Sequence, residues 1–194
     1  MLNSIIRFNK SPWIDSTIKW LIALVLQVTL GPVIIDVKGE MPITLQSFVI
    51  LFGAMAFGWR IGALAVVTYI VAGGLGFPVF AGHHAGWGII TGQHGGFFFG
   101  FIAAALVCGY LAETAMFSKP LPSILNWLLG HLIILLLGGF WLSQLDPMGW
   151  QEKLTSLLPG AIIKSAFGAM IIQLIIRFMK GKRTIKPLDE NFDK

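Results

Sequence analysis

The chain has 194 residues, 56% hydrophobic and only 12% charged, with a net charge of +5 and a mean hydropathy of +0.79. Soluble domains carry about 25% charged residues, so the composition excludes an ordinary water-soluble core and indicates an integral membrane protein. At about 20 apolar residues per span, up to six spans fit, which leaves no room for a soluble catalytic domain.

Residues 1–17 (MLNSIIRFNKSPWIDST) read as an N-terminal interfacial segment, with Trp13 at headgroup depth. The apolar run 18–35 lacks the small-residue cleavage site of a signal peptide and reads as an uncleaved first span. A loop, DVKGEMPITLQ, covers residues 36–46. The second apolar run, 47–59, ends at Trp59-Arg60, and the third, 61–80, contains Tyr69. The third runs into a Gly-rich stretch, 73–96, with sequence GGLGFPVFAGHHAGWGIITGQHGG. Span four is 95–112, followed by a charged, Pro-containing turn at 113–122. Span five is 123–142, DPMGWQEK at 146–153 reads as a turn, and span six is 157–178. A basic tail, 180–194, closes the chain. Runs two and three carry one charge between them, Arg60; as a single span they reduce the total to five.

Charge placement separates the two counts. With six spans, one side holds Arg7, Lys10, Lys19, Arg60, Lys119, Arg177, Lys180, Lys182, Arg183, Lys186 and Lys194, and the other only Lys38 and Lys153. The positive-inside rule puts the first set in the cytoplasm. The expected fold is therefore an all-α integral membrane bundle of six transmembrane helices over 18–179, with both termini cytoplasmic. The Gly-rich stretch, the 36–46 loop and the 146–153 turn then share the outer face. This distribution explains the basic balance by topology and argues against a nucleic-acid partner. Cys108 has no second cysteine to pair with. Gly96, Gly100, Ala104, Cys108 and Ala112, and likewise Ala161, Ser165 and Ala169, form small-residue stripes suited to close helix packing.

Lys164 is the strongest candidate for chemistry. It lies inside span six, where a lysine is costly unless paired or hydrated. It either snorkels to the outer interface, near Pro159-Gly160, or points into a cavity as a point charge for a carboxylate or phosphate. Span six has no acidic residue to neutralise it, which favours an anionic ligand. Glycine-rich irregular backbone at membrane depth is tolerated where it packs on protein or lines a polar cavity. His83, His84, Gln93 and His94 in the Gly-rich stretch are therefore candidate contacts. Thr44 and Gln46 either cap a helix or face the same cavity. Tyr69, Phe80 and Trp87 are either aromatic-belt residues or pocket walls. His131 reads as a hydrogen-bonded bundle histidine. The histidines could instead serve haem in a haem- or quinone-binding redox protein, but three of the four lie in one loop, and no zinc spacing is present. No metal or cofactor is expected. A Walker motif, GxSxG and paired intramembrane carboxylates are all missing, so ATP hydrolysis, serine hydrolysis and carboxylate proton pumping are unsupported, and the chain is not expected to be an enzyme.

The block MPITLQSFVILFGAMAFGWRIGALAVVTYIVAGGLGFPVFAGHHAGWGIITGQHGGFFFGF (41–101), with LPGAIIK (158–164), resembles the BioY family. These are biotin-binding S components of energy-coupling factor (ECF) vitamin transporters in the bacterial cytoplasmic membrane. The resemblance implies six helices and a biotin pocket capped by the first and third outer loops. It also implies high-affinity uptake, either alone, as a homo-oligomer, or with a transmembrane coupling subunit and two ATPases. Three departures stand out. The family's P-G-D-x-x-K reads Pro159-Gly160-Ala161-Ile162-Ile163-Lys164 here, so Ala161 replaces an aspartate. The family's G-P-T-G-G reads Gly92-Gln93-His94-Gly95-Gly96. The A-x-x-x-A of the first helix, which faces the coupling subunit, reads Ala23 and Gln27. A relative with a changed carboxylate ligand is the alternative within the family.

Overall fold

A computed structural model describes residues 6–35, 43–114 and 119–184. Expected loop residues 36–42, part of the 113–122 turn and the tail beyond 184 lie outside the described residues. The main elements are α1 (Pro12–Leu30), β1 (Ile34–Ile35), β2 (Ile43–Thr44), α2 (Gln46–Phe57), α3 (Trp59–Gly74), α4 (Trp87–Thr91), α5 (Gly95–Ala112), α6 (Pro120–Leu145), α7 (Trp150–Thr155) and α8 (Leu158–Thr184). The helices α1, α5 and α6 and the run Trp150–Met179 are long and apolar enough to cross a membrane. The apolar α2 and α3 are shorter, at 12 and 16 residues. At 1.5 Å per residue they are about 18 and 24 Å long, against a hydrocarbon core of about 30 Å.

Gly58 separates α2 from α3. Its φ of 93° and ψ of 160° belong to a region essentially reserved for glycine. The chain folds back there, and Gly62 comes to lie against the backbone of Ala54. Runs two and three are therefore two helices and not one long one. Hydropathy alone could not separate them, because the break needs one glycine and no polar residue.

The first helix, α1, departs from the sequence reading. It begins at Pro12, inside the stretch expected as interfacial, because Pro at a first helical position sacrifices no hydrogen bond. The first turn is held by Asp15, which accepts from the Phe8 amide at 2.7 Å and pairs with Lys19 at 2.7 Å. The helix ends before Gly31-Pro32, and the chain enters a two-stranded antiparallel hairpin with Ile34 opposite Thr44. Ala23 and Gln27 are fully buried against Gly53 of α2, so this pair is not presented on the bundle surface.

The core is organised on α5, whose bounds match the sequence reading. It packs against α2, α3 and α6. Its glycines allow this: Gly96 lies on Trp141 and Leu137, Gly100 on the Ile134 backbone, and Gly109 on the Trp59 backbone. The stripe on span four is thus internal packing. The stripe on span six is internal too, because Ala161, Ser165 and Ala169 are all buried. Next to it, Gly168 accommodates the ring of Trp127, which stacks on Phe48 at 5.3 Å.

The Gly58 conformation gives a direct test. Gly58→Ala should destabilise the bundle by about 1–3 kcal/mol, read as a lower melting temperature in detergent. An unchanged midpoint would show that the α2–α3 turn is not glycine-dependent.

Candidate functional site

The Gly-rich stretch folds as a lid over the end of the bundle where α2 begins and α3 ends. The Phe80 ring lies so close over Gly73 that no side chain fits at that position. The Phe80 amide donates to the His84 carbonyl at 3.1 Å, closing a turn around the short 3-10 segment Ala81–His83. Gly82 and His83 both have positive φ, at 72° and 61°. The Gly82 amide donates to Pro32 at 2.9 Å, tying the lid to the β-hairpin, and the Gly86 amide donates to Gly73 at 2.7 Å. A helical turn, α4, interrupts what read as wholly irregular backbone. Next to it the Trp141 indole donates to Gly92 at 2.8 Å and anchors the Gln93 segment on α6.

A cavity of about 420 Å³ lies beneath this lid. Sites for small ligands run to roughly 300–1,000 Å³ with mostly apolar walls and few polar groups. The inner polar residues are Thr44, Gln46, Ser47, His131 and Lys164. The walls include Phe80, Phe97, Phe98, Phe101, Ile134 and Leu135. His84, Gln93, His94 and Lys153 lie at the open end, where the first three are exposed.

Lys164 turns into the bundle and is partly buried. Its ammonium donates to the Thr44 carbonyl at 3.2 Å and to Ser47 Oγ at 2.7 Å. Both acceptors are neutral, and among the described residues no carboxylate pairs with it in an ion pair. Behind Ser47 stands His131, with Nε2 3.4 Å from Ser47 Oγ. His131 Nδ1 lies 3.1 Å from the Trp127 carbonyl and 2.9 Å from Ser165 Oγ. A carbonyl only accepts, so Nδ1 carries the proton and Nε2 accepts from Ser47. Ser165 in turn donates to the Ala161 carbonyl at 2.8 Å. Donors and acceptors therefore run in one direction from Lys164 to the α8 backbone.

A second bracket holds Gln46. Its amide donates to Tyr69 Oη at 2.9 Å, and Tyr69 donates to the Val79 carbonyl at 2.8 Å. At the open end, Lys153 Nζ pairs with Asp146 Oδ2 at 2.9 Å and approaches Gln93 Oε1 at 3.5 Å. Lys153, and then the Gly149 amide, hold the Asp146 carboxyl below its ordinary pKa. Desolvation, and then the neighbouring His84, lower His94 below the ordinary imidazole value.

Seven sequence-predicted residues line this one cavity: Thr44, Gln46, Phe80, His84, Gln93, His94 and Lys164. Tyr69 is not a wall but the buried support of Gln46. His83 and Trp87 do not line the cavity. His83 is exposed on the left-handed turn, and Trp87 is 55% exposed and packs beside Gly74. Thr44 is not a helix cap: Leu45 occupies that position, and no side chain caps α2. His131 is the hydrogen-bonded bundle histidine expected, and it lines the cavity as well. Both its nitrogens are engaged. Among the described residues no group of three or more His, Cys, Asp or Glu is placed to hold a metal ion. Sequence reasoning missed Ser47, Lys153 and the Phe97-Phe98 wall. The adjacency of Ser47 to Gln46 was a usable signal. Lys153 was masked by its place in an apparent turn, which the structure resolves into α7.

The pattern that defines the BioY family matches residues 9–181. The chain belongs to the BioY family. Among curated BioY proteins, the biotin transporter of Rhodobacter capsulatus is 34% identical over 71% of this chain and 80% of that protein. The probable biotin transporter of Pyrococcus horikoshii is 33% identical over 64% and 73%. The biotin transporter of Thermotoga maritima is 45% identical over a shorter match, 39% of this chain and 44% of that protein. The fold is shared with a crystal structure of the S-component for biotin from an ECF-type ABC transporter. The TM-score is 0.76 at 19% identity, covering 88% of this chain and 95% of that one.

Ser47 joins Lys164 to His131, so its removal should be felt. Ser47→Ala should cost about 1.5 kcal/mol, the low end for a hydrogen bond to a charged group, because Lys164 is only partly buried. Thermal unfolding in detergent measures it. An unaltered midpoint would mean that the ammonium finds another acceptor.

Proposed function

We propose that the chain is the membrane substrate-binding subunit for biotin uptake: it takes biotin into the cavity beneath the lid and releases it inward, chemically unchanged. Lys164 carries this reading. An ammonium that faces a cavity with only neutral acceptors has an N–H left for a ligand. Biotin offers that donor a carbonyl or a carboxylate, and its fused ring suits the aromatic walls. The relatives' names, biotin transporters, point to the same ligand.

The residues proposed to touch the ligand are Lys164, Thr44, Gln46, Phe80, His84, Gln93 and His94, with Tyr69 and His131 as supports. The α2–α3 hairpin supports six spans, and the charge distribution supports cytoplasmic termini in a multi-pass protein of the cytoplasmic membrane. Transport then needs a partner. A transmembrane coupling subunit with two ATPases is the partner proposed, and a homo-oligomer is the alternative. The exposed apolar flanks of α1, α6 and α8 face lipid or these partners.

One observation supports a second reading. Ala161 lines the cavity at the position where the family resemblance implies an aspartate. A polar contact is lost there, and the ligand could be a related carboxylate. Titration with biotin and desthiobiotin in parallel separates the two readings by which ligand binds tighter.

Calorimetric titration of the purified protein provides the test. Wild type should bind biotin at micromolar concentration or below, and Lys164→Ala should bind at least about tenfold more weakly, the loss expected for one charge-assisted hydrogen bond. Wild type that gives no binding heat at micromolar biotin would overturn the ligand assignment.

A further inference from the structure

The cavity has a lysine at each end, and the two ammonium groups stand in different surroundings. At the inner end Gln46, Ser47 and His131 are 7%, 6% and 4% exposed, and Lys164 is hydrogen-bonded there. At the open end the Lys153 side chain is 37% exposed and touches Gln93. Lys164 spends two of its three N–H bonds on neutral acceptors, so a single N–H remains. One N–H suits one carbonyl oxygen. A carboxylate placed there would give up water on both oxygens for little return, since desolvation of an ion pair offsets much of its attraction.

The open end suits a carboxylate better. Lys153 already holds one, Asp146, at 2.9 Å. The Gln93 oxygen faces Lys153 at 3.5 Å, which leaves the Gln93 amide NH₂ as a donor beside the ammonium. Water still reaches this end and can solvate the remaining lone pairs. His94 is depressed below the ordinary imidazole value, so near neutral pH it adds no competing cation. Lys153 then supplies the positive charge.

We infer that Lys153, with Gln93, receives the carboxylate of the ligand at the cavity mouth, while Lys164 receives its neutral ureido carbonyl at the inner end. Lys153 is thus the residue that makes the site selective for the free acid. Asp146 competes with the ligand for Lys153 and tempers that selectivity. This assignment rests on the reading of the cavity as a biotin site, and it moves the carboxylate away from Lys164, where the sequence alone had put it.

Titrating biotin and biotin methyl ester into the detergent-purified full chain tests it. Wild type should prefer the acid. Lys153→Met keeps the aliphatic stem and removes the charge. It should weaken biotin about 10- to 100-fold, the range of a charge-assisted hydrogen bond, and leave the ester unchanged. Asp146→Asn keeps an acceptor for the Gly149 amide and frees Lys153. It should tighten biotin about two- to fivefold, with no effect on the ester. A tightening of the acid alone is an effect that a purely structural lesion cannot produce. Lys164→Met should weaken both ligands alike. The assignment fails if Lys153→Met weakens both ligands equally or neither, or if acid selectivity disappears in Lys164→Met instead. Those outcomes leave biotin binding by wild type intact. Wild type that binds neither compound overturns the biotin reading itself, and this assignment with it.

Discussion

An ammonium group inside a helical bundle must be given acceptors, and Lys164 imposes that requirement on three separate elements. The Thr44 carbonyl comes from the end of the β-hairpin, and Ser47 from the first turn of α2. The buried Ser47 hydroxyl also has a proton to place, and His131 of α6 accepts it. His131 is fixed in turn by Trp127 and Ser165, and Ser165 by the α8 backbone. The Ser47 and Ser165 hydroxyls and both His131 nitrogens all have partners, which is the condition under which such networks rigidify a core. The series also leaves Lys164 one donor short of saturation, on the side where the cavity lies. Binding capacity and packing thus come from the same set of hydrogen bonds.

The space for a ligand is made by glycine. Phe80 can turn beneath the lid because Gly73 has no side chain, and α5 and α6 meet closely at Gly96, Gly100 and Gly138. Close approach along those stripes replaces the hydrophobic drive that lipid does not supply. The bulky rings are then displaced toward the end of the bundle, where Phe98 meets Phe101 edge to face and Phe80 at a tilt, all three lining the cavity. The positive φ angles at Gly58, Gly76, Gly82 and Gly86 turn the chain where the helices end. Glycine content, which in a soluble protein signals loops, here marks helix contacts and the lid.

Much of this was legible in the chain. Apolar length located the long helices, and α5 has the bounds its sequence implied, because its small-residue stripe and its Gly-Gly start coincide. Lys164 was legible because an unpaired charge in an apolar run is costly anywhere in a bilayer. Other features depended on contacts distant in sequence. His83 and His84 are neighbours of equal chemistry, yet only His84 lines the cavity, because the Gly82–His83 turn separates them. Tyr69 read as a possible wall, but whether an aromatic ring lines a cavity or supports its lining depends on the partner helix. Lys153 lay in a polar octet that resembles a turn; its six-residue helix is set by packing on α6, for which local sequence has no signal. The β-hairpin is equally silent, since two-residue strands have no periodicity to detect.

The account stands on the claim that the cavity beneath the lid is where biotin sits. A structure of the protein purified with excess biotin tests that claim most directly. Biotin should lie between the aromatic walls, with a ligand oxygen at hydrogen-bond distance, about 2.7–3.2 Å, from Lys164 Nζ. Biotin bound elsewhere, or within the cavity but out of reach of Lys164, would contradict it.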